Sequence, residues 1–202
     1  MTRSLLLTAF DDYMAPLGDL TAPLMLSYAS KHCMDFRCVR QFPTGKPAYW
    51  HKIPCILEAF DGGYEKILYL DADQKITNPD IIPPGEFGFN ASLDWGADAY
   101  DASFFSMAGF TAFRDSISFF GWLQDHESEW IDKPFPEQEP FRFLYRTFPI
   151  IQEKMCIHAR RAFNSVPIQV HESVAEPWQD GDFAAHITML PMSDRVKLFH
   201  EI

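Results

Sequence analysis

Hydrophobic positions fall in short, dense runs broken by polar turns, and the clearest run is Lys66-Ile67-Leu68-Tyr69-Leu70. It shows no polar alternation, which suits a strand covered on both faces. Ser4 to Phe10 reads as an earlier strand of the same kind. Asp11-Asp12-Tyr13, Pro16 and Gly18 then predict a loop, and Thr21 to about His32 a helix with Pro23 in its first turn. Phe36 to Gln41 follows as a second strand. This β-α-β opening implies a parallel pair joined by a right-handed crossover. Pro43 to Pro47 is turn-rich. Trp50 to Phe60 predicts a helix, with Pro54 kinking it or sitting in its first turn, closed by Gly62-Gly63.

Beyond the central run, Gln74 to Pro79 predicts a short strand or turn, and Pro83-Pro84-Gly85 a break before Phe87 to Leu93. Ala102 to Arg114 reads as a strand with Gly109 at a close approach. Ser116 to Trp130 predicts a helix whose aromatic stripe is core packing. Glu137 and Gln138 open another helix toward Phe148. Ile157 to Ser165 and Phe183 to Ala185 read as strands, and Asp194 to Ile202 as a closing amphipathic helix. The pattern is α/β, with one domain over residues 1–202.

Composition narrows the partners. The 202 residues are 47% hydrophobic and 15% aromatic, with a net charge of −11. Nucleic acid and anionic membrane both call for clustered Lys and Arg, so neither is expected. The four cysteines form no Cys-x-x-Cys pair and complete no zinc pattern, so reduced cysteines are expected. The apolar stretch Leu5-Leu6-Leu7 is too short for a signal peptide or a membrane span. A cytoplasmic enzyme, bacterial or viral, is the expectation.

Candidate chemistry begins where the central run ends, at Asp71-Ala72-Asp73. In open α/β sheets ligands bind beyond the carboxyl ends of strands. Two adjacent carboxylates repel unless a cation lies between them, and a hard divalent ion that also binds phosphate oxygens resolves this. A helix cap beside a solvated loop carboxylate is the structural alternative. A phosphatase of the haloacid-dehalogenase type, with Asp71 as nucleophile and Asp73 as acid, is the chemical one. It is disfavoured because the pair follows two β/α units and precedes Gln74-Lys75. The loop after the first strand lies at the same sheet edge, so Thr8, Ala9, Phe10 and Tyr13 become candidates to hold a base and ribose. Lys52 is a candidate partner for a phosphate or for Asp71.

The strand-terminal Asp-x-Asp resembles the metal signature of GT-A glycosyltransferases. Trp50-x-Lys52, Asp71-Ala72-Asp73, then Ile76-x-Asn78-Pro79, Glu137-Gln138 and Gly181-Asp182-Phe183-x-x-His186 occur in the order found in glycosyltransferase family 34, with the glycogenin-like family 8 next. The resemblance spans about residues 4 to 198. It implies a GT-A fold, Rossmann-like, with a mixed, mostly parallel central sheet flanked by helices. It also implies Mn²⁺ or Mg²⁺ on Asp71, Asp73 and His186, and a UDP-sugar donor contacting Asp71 and Ala72. Glu137 and Gln138 would face the reacting sugar, and configuration would be retained. The acceptor would be a glycan, lipid-linked glycan, protein or small molecule, and the enzyme a possible homodimer. Two departures stand out. Met107 occupies the place of an Asn, and the Gly and Lys that follow the His are replaced by Thr188, Met189 and Leu190, leaving Arg195 as the substitute cation. These departures keep open a catalytically inactive sugar-nucleotide or glycan-binding module.

Overall fold

A computed structural model describes residues 2–40, 46–96 and 102–202. In chain order the elements are β1 (Ser4–Ala9), α1 (Ala15–Lys31), β2 (Asp35–Val39), α2 (Lys52–Asp61), β3 (Lys66–Leu70), β4 (Gln74–Ile76), β5 (Phe89–Leu93) and β6 (Phe105–Phe113). There follow α3 (Ile117–Asp125), α4 (Glu127–Trp130), α5 (Gln138–Thr147), α6 (Pro149–Gln152), β7 (Met155–His158), β8 (Ala184–His186) and α7 (Met192–Glu201). Six strands form a central sheet in the order β2-β1-β3-β6-β5-β7, and β4 and β8 form a separate ribbon. β1 runs parallel to β2 and β3, β6 runs antiparallel to β3 and β5, and β7 is parallel to β5. The mixed sheet flanked by helices is the α/β arrangement expected.

The unbroken apolar runs of β1 and β3 have a direct cause. Side chains alternate across a strand. Leu5, Leu7, Ile67 and Tyr69 pack into one core with Trp50, Ile53 and Phe60 from the α2 side and with the phenylalanines of β5, β6, α3 and α5. Leu6, Leu68 and Leu70 point the other way, against Met25, Tyr28 and Phe183. Both faces are therefore buried, and neither can be polar. The Phe-rich composition is spent chiefly in the first core, where Phe89 lies 4.8 Å from Phe141 and 5.0 Å from Phe110 between ring centres.

Three expectations need correction. First, α1 starts at Ala15, six residues before Thr21, so Pro16 and Gly18 lie in its first turn rather than in a loop. Asp11 Oδ1 accepts the Met14 N–H at 3.0 Å and sets the turn that opens the helix. Gly18 is there because a Cβ would stand 2.5 Å from the Phe10 ring. Second, the helix expected over residues 116–130 breaks at His126 into α3 and α4. Third, the strand expected over Ile157 to Ser165 ends at His158. Arg160–Ala162 form a 3₁₀ turn, because Arg161 is drawn off the sheet onto Asp182. The expected end of the second strand at Gln41 and most of the Pro43–Pro47 turn lie outside the described residues.

Gly109 meets the expectation of a close approach. It sits opposite Leu70 in the β3–β6 ladder, and a Cβ there would meet Gln74 Oε1 at 2.7 Å and the Phe163 carbonyl at 3.1 Å. The Gln74 amide cannot swing freely aside, since it donates to that same carbonyl at 2.8 Å. Gly109→Ala is therefore expected to cost about 1–3 kcal/mol, as overpacking does in close-packed interiors, measured by urea unfolding.

Candidate active site

The sheet brings its functional groups to one edge. β3 ends at Leu70, and the Asp71 N–H continues the ladder onto the Ala108 carbonyl at 2.8 Å. The turn that follows is fixed from below. The Gln74 N–H donates to the Asp71 carbonyl at 3.0 Å, and the Thr21 hydroxyl donates to the Ala72 carbonyl at 2.7 Å. Antiparallel pairing of β4 with β8 sets Gln74 opposite His186, and the Ile187 N–H donates to the Asp73 carbonyl at 2.8 Å. A two-stranded ribbon thus carries His186 from far along the chain to Asp73.

Asp73 is the centre of this cluster. It is 7% exposed; His186 Nε2 lies 3.2 Å from its Oδ1 and Arg195 Nη1 3.2 Å from its Oδ2. Burial alone would raise its pKa, but His186 and then Arg195 hold it below the usual carboxylate range. Burial alone would likewise lower His186, and Asp73 raises it above its ordinary value. The other ring nitrogen, Nδ1, faces the Asn164 side-chain oxygen at 2.5 Å, so Nδ1 carries a proton and Nε2 is the position presented to Asp73.

Asp71 faces the other way. Lys52, only 1% exposed, reaches Asp71 Oδ1 at 3.1 Å, the Met107 carbonyl at 3.0 Å and Glu137 Oε1 at 3.6 Å. Burial pushes Asp71 up to about 6 against the pull of Lys52. Burial would lower Lys52, but Asp71 and Glu137 hold it above its ordinary value. Lys52 is thus a buried strut beneath Asp71, neither a solvated helix residue nor directed outward.

Gln138 opens α5 with both ends of its amide held. Oε1 accepts the Met107 N–H at 3.2 Å, and Nε2 donates to Asp94 Oδ2 at 3.2 Å. Asp94 also takes Arg142 Nη2 at 2.7 Å. Asp94 and Arg142 were not anticipated. Yet β5 runs parallel to β3 through the intervening β6, so Asp94, the residue after it, falls at the same carboxyl edge as Asp71. Asp182 of the Gly-Asp-Phe-x-x-His motif plays a different part. It accepts Arg161 Nε at 2.9 Å and anchors the segment that leads into β8.

Two cavities flank the Asp71–Asp73 turn, and both carboxylates line both. The smaller, about 400 Å³, has walls of Phe10, Tyr13, Met14 and Tyr49, with Ala9 and Ala72 also in its lining. Thr8 is fully buried in β1 and, like Lys52 and Arg195, is absent from that lining. The larger cavity, about 480 Å³, is bounded by Asp94, Phe104, Gln138, Arg142 and His186.

Among the described residues no three His, Cys, Asp or Glu side chains converge as a ready-made metal site. The donor chemistry at Asp73 nevertheless fits one. A carboxylate and an imidazole whose remote nitrogen is held by an amide oxygen are ordinary ligands of Mn²⁺-type ions, and the proton on Nε2 is what a metal displaces.

No family model matches the chain, and no curated protein matches it in sequence. Solved structures do match. A glycosyltransferase involved in the glycosylation of the major capsid of PBCV-1 aligns with a TM-score of 0.75 at 14% identity, covering 99% of this chain and 100% of the other. The galactosyltransferase LgtC, in complex with donor and acceptor sugar analogues, aligns at 0.56 and 13% identity, covering 98% and 96%. A Drosophila β1,4-galactosyltransferase 7 mutant, in complex with manganese, UDP-Gal and xylobiose, aligns at 0.56 and 12% identity, covering 92% and 71%. The fold is that of the GT-A glycosyltransferases. Among the described residues no helix is long and apolar enough to cross a membrane.

Proposed function

We propose that the chain is a metal-dependent glycosyltransferase that moves a hexose or pentose from a UDP-sugar to an acceptor, with retention of configuration. The observation that carries this reading is the placement of Asp71 and Asp73 at the wall shared by two cavities, at the carboxyl end of β3. One cavity suits a nucleotide and the other suits the reacting sugars. The manganese and UDP-Gal held by the Drosophila neighbour support the same choice of metal and donor.

In this reading the aromatic walls at Phe10, Tyr13 and Tyr49 sandwich the base, and the β1 loop holds the ribose. Asp73 and His186, with Asp71 alongside, would hold Mn²⁺ or Mg²⁺. When bound, the metal supplies Lewis acidity and neutralises charge on the departing diphosphate. Arg195, 3.2 Å from Asp73, is the nearby cation that stands in for the missing Lys and adds to that neutralisation. Lys52 keeps Asp71 ionised and in place. The Gln138 amide, pinned by Met107 and Asp94, presents a fixed dipole to the anomeric centre, and Glu137 adds negative potential where positive charge develops. The phosphatase alternative is disfavoured by the fold, whose solved neighbours are glycosyltransferases.

The test is thermal stabilisation by UDP, GDP, CMP and ADP, each with and without Mn²⁺. UDP with Mn²⁺ is expected to raise Tm, and turnover of UDP-sugars then separates an enzyme from an inactive binding module. No shift with any nucleotide would sink the reading.

The role of Asn164 can be tested separately. It is fully buried, and it touches the site by orienting His186. Asn164→Ala is expected to weaken Mn²⁺ binding in the presence of UDP by roughly 10–100-fold, the usual cost of losing the group that orients a metal ligand. Titration followed by the Mn²⁺ electron paramagnetic resonance signal checks it.

A further inference from the structure

We propose that the larger cavity seats an uncharged sugar residue of the acceptor, with Phe135 and Met189 as its exposed apolar rim; this rests on the glycosyl-transfer reading above. The first observation is the pair of rim residues. Phe135 is 65% exposed at φ 51° and Met189 is 58% exposed at φ 58°, and both line the cavity. Only three non-glycine residues among those described have positive φ, so two of the three sit on one rim. Left-handed backbone is costly for a bulky side chain, and exposure returns none of that cost through burial. Such strain collects at ligand sites.

The local hydrogen bonds show how the strain is held. The Phe135 carbonyl accepts the Gln138 and Glu139 N–H groups at 3.0 and 2.9 Å, starting α5. Its ring is thereby turned outward, over the opening. On the facing side, the Thr188–Leu190 turn is held by the Leu190 N–H on the Thr188 carbonyl at 2.8 Å and by Arg195 Nε on the Leu190 carbonyl at 2.7 Å. Phe104 adds an aromatic wall to the same cavity. A pyranose presents C–H groups on one face, and these pack on the negative face of an aromatic ring.

The second observation concerns donors and acceptors. Two basic side chains among the described residues line this cavity: His186 is paired with Asp73, and Arg142 has four of its five N–H groups committed. Nε and Nη2 reach the Phe105 carbonyl at 3.1 and 2.9 Å, Nη2 also reaches Asp94 at 2.7 Å, and Nη1 reaches Glu139 at 2.8 Å. That leaves no fork to receive a carboxylate or phosphate. Asp94 and Glu137 instead offer acceptor oxygens, which suit hydroxyl donors and repel anions. The cavity is therefore built to receive hydroxyls and a C–H face, and to reject uronic, sialic or phosphorylated acceptors.

The experiment is saturation-transfer NMR on the protein with UDP and MgCl₂, the diamagnetic choice of the two metals. The probes are methyl glycosides of glucose, galactose, mannose and xylose, with methyl glucuronide and galacturonide as anionic partners. At least one neutral glycoside is expected to give signal, with its uronide at least about tenfold weaker, a difference of about 1.4 kcal/mol. In Phe135→Gly with Met189→Gly the glycoside signal is expected to vanish while Tm does not fall, since glycine relieves φ at both positions. UDP resonances in the same tube report the donor site. If UDP itself does not bind, the transferase reading fails. If UDP binds but no neutral glycoside does, or the uronide matches it, or the double variant keeps the signal, the acceptor proposal is overturned.

Discussion

Replacing Asp73 by Asn should abolish the Tm shift given by UDP with Mn²⁺ and reduce kcat/KM for sugar transfer by about a thousandfold or more, at least the upper end of the loss when one charge-stabilising group leaves a preorganised site. The reason lies in what surrounds the carboxylate. Asp73 is buried and held below the usual carboxylate range, so it is fully ionised at neutral pH and its charge is already paired with His186 and Arg195. Asn keeps the volume and one acceptor oxygen but removes the charge. His186 then loses the anion that raises its pKa, and the pair no longer offers an anionic oxygen beside an imidazole. Arg195 is simultaneously set free, so residual UDP binding without metal is expected to survive and to fall with added salt. The measurements are the thermal shift with and without Mn²⁺ and steady-state transfer; a variant that keeps the full Mn²⁺-dependent shift would remove Asp73 from the metal.

Much of this site was legible because its parts lie at strand ends. An unbroken apolar run ending in two carboxylates locates the edge of the sheet, and the order of the later motifs finds His186 and Gln138. The rest depends on pairing that leaves no local trace. Nothing near Asn164 announces that a 3₁₀ turn will set it against His186, because the turn is caused by Arg161 reaching Asp182, 21 residues away. Lys52 reads as a partner for either a phosphate or Asp71, and the choice is not legible, since the sequence does not show that β6 runs antiparallel and offers the Met107 carbonyl over it. Gly18 looks like a loop glycine until the Phe10 ring is seen against it. Asp94 could have been found by following the carboxyl ends of all the strands parallel to β3. Phe135 and Met189 could not, because a left-handed turn at a bulky residue has no sequence signature.

Lys52→Met is expected to be the most destabilising substitution at the site, by about 3–5 kcal/mol, the range for removing one partner of a buried ion pair. For a chain of this size that corresponds to a fall in Tm of roughly 6–20 °C. Methionine fills much of the same volume, so the loss is electrostatic rather than a cavity effect. Without the ammonium, Asp71 and Glu137 face a common space with no cation between them, and the Met107 carbonyl loses its donor. Asp71, already pushed up to about 6, would be driven higher and would bind a proton near neutral pH. That gives the variant a distinct pH signature. A folded-state pKa above the unfolded value means the variant's stability is greatest at low pH and falls as pH rises through the folded pKa, so the deficit relative to the parent should widen between about pH 5 and 8. The second arm is Asp71→Asn in the same background. Removing the carboxylate as well takes away the uncompensated charge, so the double variant should recover at least about 1 kcal/mol over Lys52→Met alone, within the range of coupling between contacting residues. Urea unfolding of the four proteins at pH 5 and pH 8 measures both effects. Additive losses that do not change with pH would mean that Lys52 packs beneath Asp71 without holding its charge.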